Sequence, residues 1–153
     1  MTTGILGVWL SVKERVLAWP CFIICYASYV YISYTFELPA LMFMNAAFIG
    51  LAIYGWTKWA RSAGTEKPFR VSRTSVAQWP LIATFIAIGT YVFGGFIATY
   101  AGANYPYLDA FATCCGFTAQ WMLGRKQIET WIFWIISDLV YLIIFAPVSY
   151  THL

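Results

Sequence analysis

A chain of 153 residues that is 61% hydrophobic and 20% aromatic but only 10% charged, with a mean hydropathy of +0.71, holds more apolar surface than one soluble core can bury. It reads as an integral membrane protein. The net charge of +3 does not point to nucleic acid, because all nine Lys and Arg residues lie in short segments between apolar runs.

A hydrocarbon core of about 30 Å takes about 20 apolar residues in a helix. Apolar runs of that order predict helices at 2–12, 16–36, 39–60, 77–101, 108–123 and 130–146. The first is too short to span, and "MTTGILGVWLSVKER" places its charges after the apolar run, unlike a cleavable leader. The second carries Trp19, Phe22, Tyr26, Tyr29 and Ser33 along one face, which either lines a cavity or packs as an aromatic seam. Pro39 opens the third, where its missing amide donor costs little. That helix brings Asn45, with Ala52 and Trp56 at i+7 and i+11. An intramembrane amide reads substrate hydroxyls or bonds a neighbouring helix.

The segment "RSAGTEKPFRVSR" has the glycine, proline and mixed charge of a flexible linker between two halves. In the fourth helix Pro80 falls in the first turn, and Gly89, Gly94 and Gly95 allow close approach or bending, which marks it as a connector. The fifth has one polar stripe, Asp109, Thr113, Gly116 and Gln120, suited to helix packing or to substrate contact. In the sixth, Trp131, Trp134, Asp138 and Tyr141 share a face. A carboxylate in lipid is costly, so Asp138 is expected to face the bundle interior, a cavity or a partner. Two indoles and one negative charge would suit a flat cationic heteroaromatic ring. Alternatively, the tryptophans anchor the interface and Asp138 pairs structurally.

Every basic residue falls on one side of a membrane crossed alternately, after helices one, three and five, so the amino terminus is expected outside. Cys21, Cys25, Cys114 and Cys115 lie in apolar stretches and read as small hydrophobes without zinc-site spacing. With no nucleophile–base pairing, phosphate loop or metal cluster, neither an enzyme nor a cofactor is expected.

A shift of 112 aligns "WLSVKERVLAWPCF" at 9–22 with "WMLGRKQIETWIFW" at 121–134, so that Trp9 meets Trp121, Lys13 meets Arg125 and Trp19 meets Trp131. Both copies sit at an inner loop, which predicts parallel repeats. Helix three would then have a counterpart beginning near 151, and helix five one beginning before Met1, so the sequence is expected to be a fragment of a longer chain. The tail "PVSYTHL" departs from the apolar pattern and is expected not to be native.

The segments "VLAWP", "YGWTKW", "LDAFAT" and, above all, "AQWMLGRKQIETWIFWIISD" resemble the PnuC family of bacterial vitamin transporters over nearly all of residues 4–145. The resemblance implies an all-α integral membrane fold of SWEET-like type, two parallel three-helix bundles joined by a connector. Six of its seven helices would be present here. Residues 1–60 would form the first bundle, with helix one incomplete, followed by a cytoplasmic loop at 61–76 and the connector at 77–101. The second bundle would occupy 102–146 without its last helix, leaving 147–153 as the tail.

It also implies facilitated diffusion of nicotinamide riboside across the inner membrane, with alternate opening of the bundles, and trapping by phosphorylation inside. Carried over by position, Trp131, Trp134 and Asp138 fall on the family's Trp-x-x-Trp-x-x-x-Asp, with Gln120 and Glu129 at matching places. Asn45 stands where riboside carriers usually have Gln, Cys25 and Thr130 where Asn is common, and Gly116 where Ser is frequent. Shortened polar groups alter hydrogen-bond discrimination, and relatives carry thiamine or riboflavin. The expected site is Trp131, Trp134, Asp138, Gln120, Asn45, Trp19, Tyr26, Trp56 and Thr113. The expected partners are a vitamin and the bilayer, with a homo-oligomer left open. A non-transporting membrane subunit is the alternative of another class.

Overall fold

The computed structural model describes residues 2–36, 39–63, 70–100 and 104–150. They form α1 (Thr2–Val12), α2 (Ala18–Thr35), α3 (Pro39–Ala63), α4 (Gln78–Tyr100), α5 (Pro106–Gly124) and α6 (Thr130–Tyr150). Prolines open α3 and α5 at the position where a missing amide costs least. Asp109 in the first turn of α5 suits the positive end of that helix. The helices match the expected segments, but α3 runs past the expected end at 60 and α6 past 146, through Pro147 to Tyr150. The final residues of the expected tail, 151–153, lie outside the described residues, as do residues 64–69 of the linker. Among the described residues α4 alone, with 23 residues and a mean hydropathy of 2.0, is long and apolar enough to cross a bilayer by those criteria. The apolar stretch of α6, Thr130–Ile144, is shorter.

The chain divides into two compact units, the first comprising residues 1–71 with 123–126 and the second residues 72–122 with 127–153. In the first, Trp19 is 0% exposed and meets Trp59 edge-on at 5.3 Å, with Ala18, Phe22, Ala52 and Leu123 completing the core. Gly55 makes this packing feasible, since a Cβ there would run into the six-membered ring of Trp19. Gly124 lies against the same spot, its Cβ position 3.2 Å from the Gly55 Cα. Tyr26 stacks on Phe48 at 5.1 Å.

In the second unit, Ile82, Cys115, Ala119, Met122 and Phe133 form the core. Gly89 leaves room for the Cys114 thiol and Gly94 for the Tyr107 ring, so these two glycines of α4 serve close packing on α5. The outer face of α4, with Leu81, Phe85, Ile88, Val92 and Phe96 exposed, is apolar as lipid contact requires.

The repeat is visible in the backbone. After α1, the Glu14 amide bonds the Ser11 carbonyl and the Arg15 amide bonds that of Leu10. After α5, Lys126 bonds Leu123 and Gln127 bonds Met122 in the same way. Each pair of bonds closes a Schellman turn, and the residue in the left-handed position is Glu14 (φ 53°) in one copy and Lys126 (φ 52°) in the other. Glycine usually takes that position, because a side chain there costs about 1–2 kcal/mol. Here both side chains are used: Lys126 Nζ meets Glu14 Oε2 at 2.8 Å and lies 4.8 Å from the centre of the Trp59 ring. Residues equivalent in the repeat thus pair with each other.

Glu14→Lys alone will set two ammonium groups together and lower the melting temperature in detergent by about 1–4 °C, as a pair with Glu14 half-exposed implies. Glu14→Lys with Lys126→Glu restores most of it. A double variant no more stable than the weaker single would show that the pair carries no such coupling.

Candidate functional site

The sixth helix is held on the fifth by hydroxyl groups. Thr130 Oγ1 donates to the Ala119 carbonyl (2.6 Å) and Ser137 Oγ to the Ala112 carbonyl (2.9 Å). The Tyr141 hydroxyl reaches both Thr113 Oγ1 (3.1 Å) and the Asp109 carboxylate. At about 100° per residue these three α6 side chains share one stripe with buried Phe133. Trp131 and Asp138 point roughly 90° or more away from it, while Trp134, one heptad before Tyr141, stands within about 20° of that residue at the edge of the stripe. The two indoles are half-buried, Trp134 packing on the core, while Asp138 is exposed and borders the apolar ridge of Ile135, Leu139 and Leu142. Trp134 thus stands between the two sides: Trp131 and Asp138 flank it on one, and Tyr141 on the other reaches α5. Thr113 is therefore engaged by Tyr141, and Gln120, 1% exposed, is enclosed within the unit.

The first unit treats its expected site residues differently. Trp19 does not line a cavity: Gly55, Phe22 and Trp59 enclose it, and it serves as the core. Asn45 is buried and donates through Nδ2 to the Leu41 carbonyl of its own helix (2.8 Å). Tyr26 is stacked between Phe22 and Phe48. Trp56 is 39% exposed, because the buried line of α3 runs through Asn45, Phe48, Ala52, Gly55 and Trp59. Sequence reasoning missed Trp59, although "YGWTKW" displays it three residues after Trp56.

The start of α6 has its own anchor. Thr74 donates through its backbone amide (3.0 Å) and hydroxyl (2.9 Å) to Glu129 Oε2. The Ile128 amide bonds the Ser72 carbonyl (3.0 Å), and Gln127 Nε2 bonds Gln78 Oε1 (2.8 Å). Burial alone pushes the Glu129 carboxyl up, but hydrogen bonds from its own amide and from Thr74, with the Arg73 charge, hold it below the ordinary carboxylate range. A carboxyl depressed on folding contributes stability that is full above its unfolded value and lost as pH falls through the folded one. Melting temperature followed from about pH 7 to about pH 3 should fall less steeply in Glu129→Gln than in the parent. Parallel acid limbs would show that the clamp does not act through ionised Glu129.

Comparison with known proteins places this architecture. The family described as nicotinamide mononucleotide transporter matches residues 1–152. The nicotinamide riboside transporter PnuC of Neisseria mucosa is 26% identical over 151 residues, covering 94% of this chain and 57% of that protein. The riboflavin/roseoflavin transporter RibM of Streptomyces davaonensis is 27% identical over 100 residues, covering 63% of this chain and 46% of that one. The crystal structure of the vitamin B3 transporter PnuC superposes with a TM-score of 0.73 at 24% identity, over 97% of this chain and 66% of that chain, and shows the SWEET-like fold. The chain therefore spans rather more than half the length of the riboside transporter it matches. With that match across nearly every residue, the chain belongs to the nicotinamide mononucleotide transporter family of multi-pass membrane proteins, and the relatives it matches are named as vitamin transporters.

Proposed function

We propose that the full-length protein mediates facilitated diffusion of nicotinamide riboside into the bacterial cytoplasm, from an inner-membrane position with its amino terminus outside. The face of α6 carries this reading, with half-buried Trp131 and Trp134 beside the exposed Asp138 carboxylate. The riboside bears a positive pyridinium ring. Indole faces attract such a cation by about 0.5–2 kcal/mol each, more as water is excluded, and a carboxylate at the edge adds charge complementarity. The Neisseria relative supports the same substrate by its name. The basic residues clustered after α1, α3 and α5 support the orientation.

A second reading, riboflavin, is favoured by the match to the Streptomyces transporter. Its ring is flat but uncharged, so Asp138 would have less to do. Cells expressing the full-length gene should take up labelled nicotinamide riboside saturably, and excess unlabelled riboflavin or thiamine should leave that uptake intact. Competition by riboflavin or thiamine at concentrations equal to the riboside would transfer the assignment to that vitamin. No saturable uptake of any of the three would favour a non-transporting subunit.

A further inference from the structure

We propose that Tyr141 is a positioning residue, whose hydroxyl, gripped by Asp109 and Thr113, fixes the rotation of the outer half of α6 and so the direction in which Asp138 and Trp134 point. This rests on the substrate face assigned above.

The three hydroxyl contacts follow one another along both helices. Going from Thr130 to Ser137 on α6 is seven residues forward, and their partners, Ala119 and Ala112 on α5, lie seven residues back. Four further residues lead to Tyr141 and three further back to Asp109. The two helices thus run antiparallel in one register, and each contact falls on a successive layer of it.

The three contacts are chemically unequal. Thr130 and Ser137 donate to backbone carbonyls, and every turn of a helix presents those. Such bonds hold α6 close without selecting strongly among neighbouring rotations. Tyr141 instead meets two side chains, and these occur only at positions 109 and 113. Its long ring is also a lever: a small rotation of α6 moves the hydroxyl far more than it moves the backbone.

Proton bookkeeping makes the contact directional. Either hydroxyl of the Tyr141–Thr113 pair can donate; when Asp109 is ionised it accepts only, so the single Tyr141 proton then goes to it and the Tyr141 oxygen is left to accept from the Thr113 hydroxyl. The resulting order, Thr113 to Tyr141 to Asp109, satisfies a carboxylate that would be costly alone in the membrane. Asp138 lies three residues before Tyr141 and Trp134 seven before, within two turns of the same helix. Whatever sets the rotation at Tyr141 therefore sets the aim of both.

Tyr141→Phe keeps the ring and removes the grip. In the full-length protein, KM for nicotinamide riboside should rise about 2- to 10-fold, the range for one hydrogen bond, with surface level and maximal rate within about twofold of the parent. Asp109→Leu should do the same, and the double variant should be no worse than either single, because both remove one contact. A change in maximal rate with KM intact, or effects of the two variants that multiply, would overturn the proposal.

A ligand-free arm separates this from the substrate assignment. In purified protein carrying Asp138→Cys, maleimide labelling at residue 138, resolved by peptide mass spectrometry, should change severalfold when Tyr141→Phe is added. Unchanged labelling would refute the register role even if riboside is carried. Changed labelling with no riboside uptake by the parent would retain the register role and remove the substrate.

Discussion

Gly55→Val will prevent the first unit from packing, and Gly55→Ala will lower its melting temperature, because a Cβ at this position falls on the ring of Trp19. Trp19 has no room to retreat: it is fully buried, with Trp59 edge-on at 5.3 Å and Phe22 at 6.1 Å. Overpacking a filled core costs about 1–3 kcal/mol, and more when the obstacle is a rigid ring. Trp19→Ala should cost about 3–5 kcal/mol by emptying the same space. The two defects are complementary, so Gly55→Ala with Trp19→Ala should be more stable than the sum of the single losses predicts. Thermal unfolding in detergent reads all four proteins. Gly55→Ala melting with the parent would mean that the α2–α3 contact has room for a methyl group beside Trp19.

Asp138→Ala will raise the KM for nicotinamide riboside by about tenfold or more if the carboxylate faces the pyridinium, since loss of a charge-assisted contact costs about 1.5–3 kcal/mol. Asp138→Asn should lose less when the side chain also serves as a hydrogen-bond acceptor, and as much when only charge matters. Trp131→Ala and Trp134→Ala should each weaken binding about 2- to 30-fold, with Phe replacements milder because an aromatic face remains. Uptake measured for cationic riboside and for uncharged riboflavin separates electrostatics from shape. Equal effects of Asp138→Ala on both would remove the charge argument.

The two tryptophans that the repeat equates show where sequence reasoning reached and where it stopped. Trp19 and Trp131 follow identical turns, with the amide of each bonding the carbonyl three residues back, of Val16 and Ile128 respectively. Yet Trp19 is sealed inside the first unit and Trp131 is only half-buried. Nothing local distinguishes them. What differs is the opposing helix, where Gly55 admits the Trp19 ring and Trp59 closes over it. The same holds for Tyr141, which shares a stripe with Trp134 and Asp138 by periodicity but is claimed by Thr113 and Asp109.

By itself, then, the sequence determined the helices, the repeat and the grouping of Trp131, Trp134 and Asp138. Apolar run length, proline placement and the period of 3.6 act within a few residues. Only the tertiary structure decided that Trp19 is core, that Glu14 and Lys126 pair, that Thr74 clamps Glu129 and that Tyr141 turns to α5. Those outcomes depend on side chains 28 to 112 residues apart in the chain. Which face of a helix is used depends on what the neighbouring helix offers, and helical periodicity carries no record of the neighbour.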